Sequence, residues 1–160
     1  MLKWLSSKIS GLIVSYLNKT SGRYEPFSVT PLDTLKDCLQ PGDVLLVEGN
    51  KRISAIIKYL TQSTWSHAAF YLGPSEEESA GEDDSIEAGT LVEALSDGGV
   101  VRVPLSKYDG YNTRICRAVG LSDEERKQLV QFMRASLGKQ YDLRNVVDLM
   151  RYLVPYPPVP

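Results

Sequence analysis

The chain has 160 residues, of which 42% are hydrophobic and 24% charged, so it is long enough to fold as one domain around a buried core. Its formal net charge of −2 gives no basic field of the kind that attracts nucleic acid, and we expect no nucleic-acid partner. Cys38 and Cys116 lie far apart and the chain has one histidine, which argues against both a disulfide scaffold and a zinc site.

Residues 1–22 predict an amphipathic helix. This segment is too polar to span a bilayer, and its longest apolar run, residues 12–14, is too short for the core of a signal peptide. Two interpretations stay open: a terminal helix that docks on the domain, or an interfacial helix with Trp4, Lys3 and Lys8 at headgroup level. The residues that share the apolar face are Leu2, Leu5, Ile9, Leu12, Ile13, Tyr16 and Leu17.

The middle of the chain alternates short helices and strands. Thr30 followed by Pro31 is typical of a helix start and predicts a short helix, "PLDTLKDCL", which ends before Pro41. The apolar run "VLLV" then predicts a buried strand, and "RISAIIKYLT" predicts a helix. In the next stretch, "TWSHAAFYLG", the alternation predicts a strand with His67 and Tyr71 on one face.

The second half predicts more strands and then helices. Residues 75–89 contain seven acidic side chains, which predict a solvated, mobile loop without the ligand spacing of a calcium loop. Short strands are predicted at "TLVEAL", "GVVRVPL" and "TRICRAV". Ser122 and Glu125 form the capping box of a helix that stops at Gly138, and a last helix opens near Asp142. The predicted class is α+β, with a small antiparallel sheet of about four strands and flanking helices.

The histidine and one carboxylate are the candidates for chemistry. Glu93 lies between two leucines on a strand face, where a carboxylate is costly unless it is paired. If the two strands pair across the acidic loop, Glu93 can reach one ring nitrogen of His67 and leave the other free to act as a base. The alternative is that His67 binds a backbone carbonyl and Glu93 pairs with Arg102 or Arg114. The residues alone leave both open.

A histidine oriented by a carboxylate needs a nucleophile to complete a catalytic triad. Cys38 lies near the C-terminal end of its short helix, where the helix dipole disfavours a thiolate. Cys116 is placed in the middle of a strand, where we expect it to be packed and inert, and it is kept as an alternative nucleophile. Ser66 is predicted on the opposite face of its strand, which leaves Ser63 and Thr64 as the remaining hydroxyls.

Three stretches carry a family resemblance: "LQPGDVLLVEGNKRISAIIKYLTQSTWSHAAFYLG", "LVEAL" and "GKQYDLRNVVDLM". They resemble the circularly permuted branch of the NlpC-type papain-like cysteine hydrolases, the YiiX/YebB-like group, which is related to lecithin:retinol acyltransferase-type enzymes. The resemblance implies a permuted papain-like fold in which His67 is the general base and Glu93 orients it. Tyr141 and Asp142 belong to the motif that leads toward the nucleophile, and they have no assigned role.

The order of the motifs bears on where the nucleophile lies. In the permuted branch the histidine strand comes first and the cysteine last, at the start of a helix downstream of the segment that resembles "YDLRNVVDLM". This sequence ends at "YPPVP" before such a position, so we expect residues 23–160 to form the hydrolase domain without its nucleophile segment. We expect the 160-residue chain to be inactive as it stands.

The resemblance also implies a substrate class. A thiolate would attack an ester or amide carbonyl, and no cofactor or metal is implied. The amphipathic segment favours an acyl lipid at a cytoplasmic membrane face over a peptide, with peripheral membrane contact through residues 1–20. The rival hypothesis is a non-enzymatic, membrane-associated binding module that holds a ligand in the cleft around His67.

Overall fold

The computed structural model describes residues 15–20, 25–26, 28–74, 91–95 and 98–140. Three predicted features therefore lie outside the described residues: most of the N-terminal helix, the acidic loop 75–89, and the last helix together with Tyr141 and Asp142. Within the described residues, no helix has the length and apolar character needed to cross a membrane.

The described residues form an α+β arrangement, which confirms the predicted fold class, with five strands rather than about four. In chain order the elements are α1 (Leu32–Cys38), β1 (Val44–Val47), α2 (Arg52–Thr61), β2 (His67–Tyr71), β3 (Leu91–Leu95), β4 (Gly99–Val103), a 3₁₀-helix (Leu105–Tyr108), β5 (Thr113–Cys116) and α3 (Asp123–Ala135).

The five strands form one antiparallel sheet in the order β4-β3-β2-β1-β5. The apolar run "VLLV" becomes β1, which is hydrogen-bonded to β2 and β5. It has no polar residue because its side chains pack on both faces of the sheet, Leu45 and Val47 on one and Val44 on the other. Because side chains alternate along each strand, the sheet has two distinct faces. The first face carries Leu45, Val47, Ala69, Tyr71 and Leu91, and the second carries Phe70, Leu72 and Val92.

Each face is covered by different helical elements. On the first face, Leu35 and Leu39 at α1 and Leu105 and Tyr108 of the 3₁₀-helix complete the main hydrophobic core. On the second face, α3 packs through apolar side chains that recur at helical spacing, namely Leu129, Val130 and Met133, with Leu137 just beyond its end. The 3₁₀-helix therefore brings its side chains to the same face as His67.

One helix start follows its predicted local signal, and two other helix ends differ from the prediction by a few residues. The predicted capping box at α3 is confirmed, because Ser122 Oγ accepts from the Glu125 backbone and a Glu125 carboxylate oxygen accepts from Ser122 N. The helix ends at Ala135, three residues before the predicted stop at Gly138, whose φ is +80°. At α1 the helix starts at Leu32, because Pro31 has extended backbone angles and takes the cap position.

The "PGD" turn before β1 is held by an ion pair between a buried aspartate and an exposed arginine. Asp43 is fully buried, and Arg117 donates to both of its carboxylate oxygens, at 2.9 and 2.7 Å. The backbone N–H of Gln40 donates to the same carboxylate at 2.8 Å. Burial raises the pKa of Asp43, but these hydrogen bonds and the Arg117 charge bring it below its ordinary value. The start of β1 is thereby tied to the residue that follows β5.

The last residues of the predicted N-terminal helix contact the start of α2. Leu17 is buried, and the Arg52 guanidinium lies 4.2 Å from the centre of the Tyr16 ring. Arg52 N donates to the Lys19 carbonyl at 3.0 Å, which satisfies a free N–H of the first turn of α2. These contacts favour docking for residues 15–20, whereas the predicted division into residues 1–22 and 23–160 stays a prediction.

Candidate active site

His67 is the first residue of β2, and its side chain lies on the first face of the sheet. It lies opposite Val47 of β1, a core residue that is 1% exposed, so the backbone of His67 is anchored on the core. The His67 side chain is itself 30% exposed, which leaves the ring within reach of a substrate. A general base needs this combination of fixed backbone and accessible ring.

Glu93 occupies the middle of β3 on the same face, and its side chain is fully buried. The register pairs Tyr71 with Leu91, which puts Ala69 opposite Glu93 and makes His67 its diagonal neighbour. His67 Nε2 lies 2.6 Å from Glu93 Oε2. The contact between these two side chains, expected from the sequence, is present.

Two further residues bind the same carboxylate, and sequence reasoning missed both. Lys107 Nζ donates to Glu93 Oε1, and Tyr108 OH donates to Glu93 Oε2. Both come from the 3₁₀-helix, in which Leu105 and Tyr108 are buried and Lys107 is partly exposed. Residues three apart lie on one side of a 3₁₀-helix, and the spacing of Leu105 and Tyr108 was the available signal for a turn docked on this face.

The charge on Glu93 is set by its three donors. Burial raises the pKa of Glu93, but the hydrogen bonds from His67, Lys107 and Tyr108 and the Lys107 charge outweigh burial and lower the pKa to about 2. Burial, with the adjacent carboxylate, raises the pKa of Tyr108 well above its ordinary value. At neutral pH, Glu93 is thus a carboxylate that only accepts, and Tyr108 is a neutral phenol that donates to it.

This network assigns the tautomer of the histidine. An ionised carboxylate has no proton to give, so the hydrogen bond to Glu93 requires the proton to sit on His67 Nε2. In the neutral ring, Nδ1 is then the acceptor, and it has no hydrogen-bond partner among the described residues. The arrangement can therefore accept a proton at Nδ1 while Nε2 stays fixed.

The alternative partners of Glu93 lie on the other face of the sheet. Arg102 is paired with Val92, whose side chain belongs to the second face, whereas Glu93 is paired with Val101. Arg114 is paired with Leu46 and also lies on the second face. The hypothesis that Glu93 pairs with Arg102 or Arg114 is therefore wrong, because the alternation along β4 and β5 turns both side chains away.

The structure brings neither cysteine to His67. Cys116 is the last residue of β5 and exposed, so the predicted packed, mid-strand position is wrong. It is paired with Val44, which packs on the second face, opposite to His67. Cys38 is exposed at the end of α1, beside Arg117 and at the opposite end of β1 from the histidine. Among the described residues, no cluster of three His, Cys, Asp or Glu could hold a metal ion.

Two hydroxyls near the histidine already have structural partners. Ser66 Oγ accepts from the backbone N–H of Gly49 at 2.9 Å, in a contact so close that a side chain at Gly49 would collide with it. Ser63 Oγ accepts from the backbone N–H of Trp65 at 3.1 Å, as part of the turn that leads into β2. Thr64 is exposed in the same turn. Ser63 thus stabilises the turn before His67, and Ser66 binds the backbone of the segment that follows β1.

Comparison of the sequence with known protein families identifies one that matches this chain. The family model of the permuted papain-like amidases (YaeF/YiiX, C92 family) matches residues 38–152 of this sequence. These residues contain the five strands, His67, Glu93 and the 3₁₀-helix. No curated protein matches the chain, and no solved structure does. Since the match covers well over half of the sequence, the chain belongs to the family of permuted papain-like amidases of the YaeF/YiiX type.

Proposed function

We propose that this site activates a thiol for attack on an amide or ester carbonyl, with His67 as the general base and Glu93 as the group that orients it. The observation that carries the proposal is the 2.6 Å contact between His67 Nε2 and Glu93 Oε2, which makes Nδ1 the acceptor of a partly exposed ring. Membership of an amidase family supports hydrolysis of a carbonyl compound of some kind.

The chemistry follows from the state of the two ring nitrogens. His67 Nδ1 takes the proton of the thiol, and the thiolate sulfur forms a bond to the carbonyl carbon. The same proton is then given to the leaving amine or alcohol as its bond to carbon breaks. Water next attacks the thioester and loses a proton to His67, and the thiol leaves as the carboxylic acid is released. During both the formation and the hydrolysis of the thioester, Glu93 accepts the hydrogen bond from Nε2–H and stabilises the imidazolium when it forms.

We propose that the thiol comes from a cysteine other than the two in this sequence. Cys116 lies on the opposite face of the sheet, and Cys38 lies beyond the other end of β1, which is roughly 10 Å along the strand from the residue opposite His67. We therefore propose that the nucleophile belongs to a segment outside these 160 residues. The Cys-His-Glu arrangement, the relation to NlpC-type enzymes and the relation to acyltransferases of the lecithin:retinol type belong to this proposal.

The first experiment is the intact mass of the protein isolated from its own cells, followed by peptide mapping. We expect a mass well above the 17.8 kDa of this chain and an additional cysteine that reacts with iodoacetamide at pH 6, where an ordinary thiol is almost fully protonated. A mass near 17.8 kDa, together with no thiol-dependent hydrolysis of p-nitrophenyl acetate, would overturn the proposal. The non-enzymatic binding module would then be the better hypothesis.

For the substrate, we favour an acyl group on a lipid at a cytoplasmic membrane face over a peptide. Support comes from the amphipathic pattern of the N-terminal segment, whose end at residues 15–20 is fixed to the start of α2. An interfacial helix attached at this point would keep the domain next to the bilayer.

Flotation with phosphatidylglycerol-containing vesicles checks the membrane proposal. Deletion of residues 1–14 leaves the contacts of residues 15–20 in place, and we expect it to lower the vesicle-bound fraction at least about tenfold, since several apolar side chains no longer enter the interface. Leu5→Asp should have a similar effect, whereas Ser6→Asp, on the predicted polar face, should have little. Equal flotation of the deleted and complete proteins would exclude this membrane contact.

A further inference from the structure

We propose that Lys107 is a positioning residue that serves as the counter-ion of Glu93, so that His67 stays in its uncharged, proton-accepting form at neutral pH. The inference rests on the proposed function of His67 as a base. With Lys107 as counter-ion, the Glu93 carboxylate can orient His67 without holding the ring as a cation. Lys107 lies outside every motif that carried the family resemblance, so it adds a residue to the site.

The geometry divides the two carboxylate oxygens between different donors. Lys107 Nζ donates to Oε1 alone, whereas His67 Nε2 and Tyr108 OH both donate to Oε2. Since Oε1 is held by an ammonium group, the carboxylate cannot rotate about its last side-chain bond without breaking that contact. Oε2 is therefore kept in the place where it accepts from the histidine.

The segment that carries Lys107 is itself fixed. Leu105 and Tyr108 are 3% and 5% exposed and anchor the 3₁₀-helix on the first face of the sheet. Lys107 N donates to the Pro104 carbonyl at 3.2 Å, and the Tyr108 ring packs edge-on against Tyr111 with 5.8 Å between ring centres. The ammonium group is thus delivered by a rigid turn, although the Lys107 side chain remains 37% exposed.

The charges around the histidine explain why a counter-ion matters. A buried carboxylate is costly unless an opposite charge lies close to it, and without Lys107 the imidazolium form of His67 would be the cation available on this face. The titratable side chains of the described residues that face the ring are Glu93, Lys107 and Tyr108, with Tyr111 behind Tyr108. Arg102 of β4 and Arg114 of β5 belong to the opposite face. Glu48, just after β1, is bound by Lys58 and Asn112.

Because the chain has one histidine, its charge state can be read without assignment. The 160-residue chain is labelled with ¹⁵N-histidine, and the ratio of doubly protonated to neutral ring is measured from the two ring nitrogen signals at pH 7.5. We expect Lys107→Met to raise this ratio roughly tenfold, as removal of one positive charge several ångström away at a partly exposed site requires. Lys107→Arg, which keeps the charge, should restore the wild-type ratio.

Two matched variants separate charge from packing and from loss of a hydrogen bond. Lys58→Met removes a lysine that contacts Glu48 at 3.0 Å rather than Glu93, and should leave the histidine ratio unchanged. Tyr108→Phe removes a donor to Oε2 without a change of charge and should shift the ratio less than Lys107→Met. If Lys107→Met does not fold, Lys107→Gln provides the same loss of charge with a polar side chain.

An unchanged ratio in folded Lys107→Met or Lys107→Gln would overturn the inference, as would an equal increase in Lys58→Met. The measurement does not depend on catalysis, so its outcome is distinct from that of the proposed function. If the ratio rises while acyl transfer by the native protein is insensitive to His67→Ala, Lys107 is the counter-ion of Glu93 and His67 is not the catalytic base.

Discussion

Replacement of His67 by alanine should lower the rate of thiol-dependent acyl transfer by the native protein on the order of 10²–10⁴-fold, the usual contribution of a general acid–base. The measurement is the release of p-nitrophenol from p-nitrophenyl acetate. Without an imidazole beside it, the nucleophilic thiol should also recover an ordinary pH dependence of alkylation, with a midpoint near about 8.5. Both changes have the same cause, the loss of the group that accepts the thiol proton.

The control for this prediction is Cys116→Ser. The side chain of Cys116 is exposed at the end of β5 and lies on the second face of the sheet, so its loss should leave acyl transfer unchanged. A large loss of activity in Cys116→Ser would identify Cys116 as the nucleophile and would contradict the proposed source of the thiol. Full activity in His67→Ala would show that His67 is not the base.

Local alternation in the sequence made the pairing of His67 with Glu93 one of two open possibilities. A polar side chain between two leucines has to find a partner on the same face, and the strand "SHAAFYLG" offers His67 at the matching parity. The same parity argument, applied to β4 and β5, would have excluded Arg102 and Arg114 once the register was known. Register is not visible in one strand, so this step needed the structure.

The donors from the 3₁₀-helix could not be predicted in the same way. Lys107 and Tyr108 reach Glu93 across 14 and 15 residues, and their position depends on how the chain turns after Pro104 onto the first face. The spacing of Leu105 and Tyr108 indicates a short buried turn, but it does not show which carboxylate the turn reaches. Cys116 shows the opposite error: cysteine is usually buried, but here it ends β5, which is an edge strand.

Glu93→Gln should destabilise the protein by about 2–4 kcal/mol at pH 7, because the buried charge that pairs with Lys107 is lost and one of the two oxygens that accept from His67, Lys107 and Tyr108 becomes an N–H donor. The measurement is urea unfolding of wild type and variant, followed by tryptophan fluorescence. Glu93→Asp, which keeps the charge on a shorter side chain, should lose less stability if the carboxylate charge is the main contribution. A loss below about 0.5 kcal/mol in Glu93→Gln would contradict the network of three donors.

The pH dependence of this difference gives a stricter test. The pKa of Glu93 is about 2 in the folded protein against an ordinary value of 4.5, so its contribution to stability is complete above about pH 5 and is lost as the pH falls toward 2. The advantage of wild type over Glu93→Gln should therefore shrink by about 2 kcal/mol over that range, after allowance for the solvent that reaches Lys107 and His67.

Asp43 also contributes to stability in a way that depends on acid pH, and its contribution has to be separated from that of Glu93. Its pKa is also lowered, by Arg117 at the other end of β1, so wild type and Glu93→Gln both lose the Asp43 contribution as the pH falls. Subtracting the free energy of unfolding of Glu93→Gln from that of wild type at each pH leaves the contribution of Glu93. The losses of unfolding free energy caused by Asp43→Asn and Glu93→Gln should add in the double variant, because the two sites share no partner. A difference that is constant between pH 5 and pH 2 would mean that Glu93 is not held as a carboxylate. The orientation of His67 would then need another explanation.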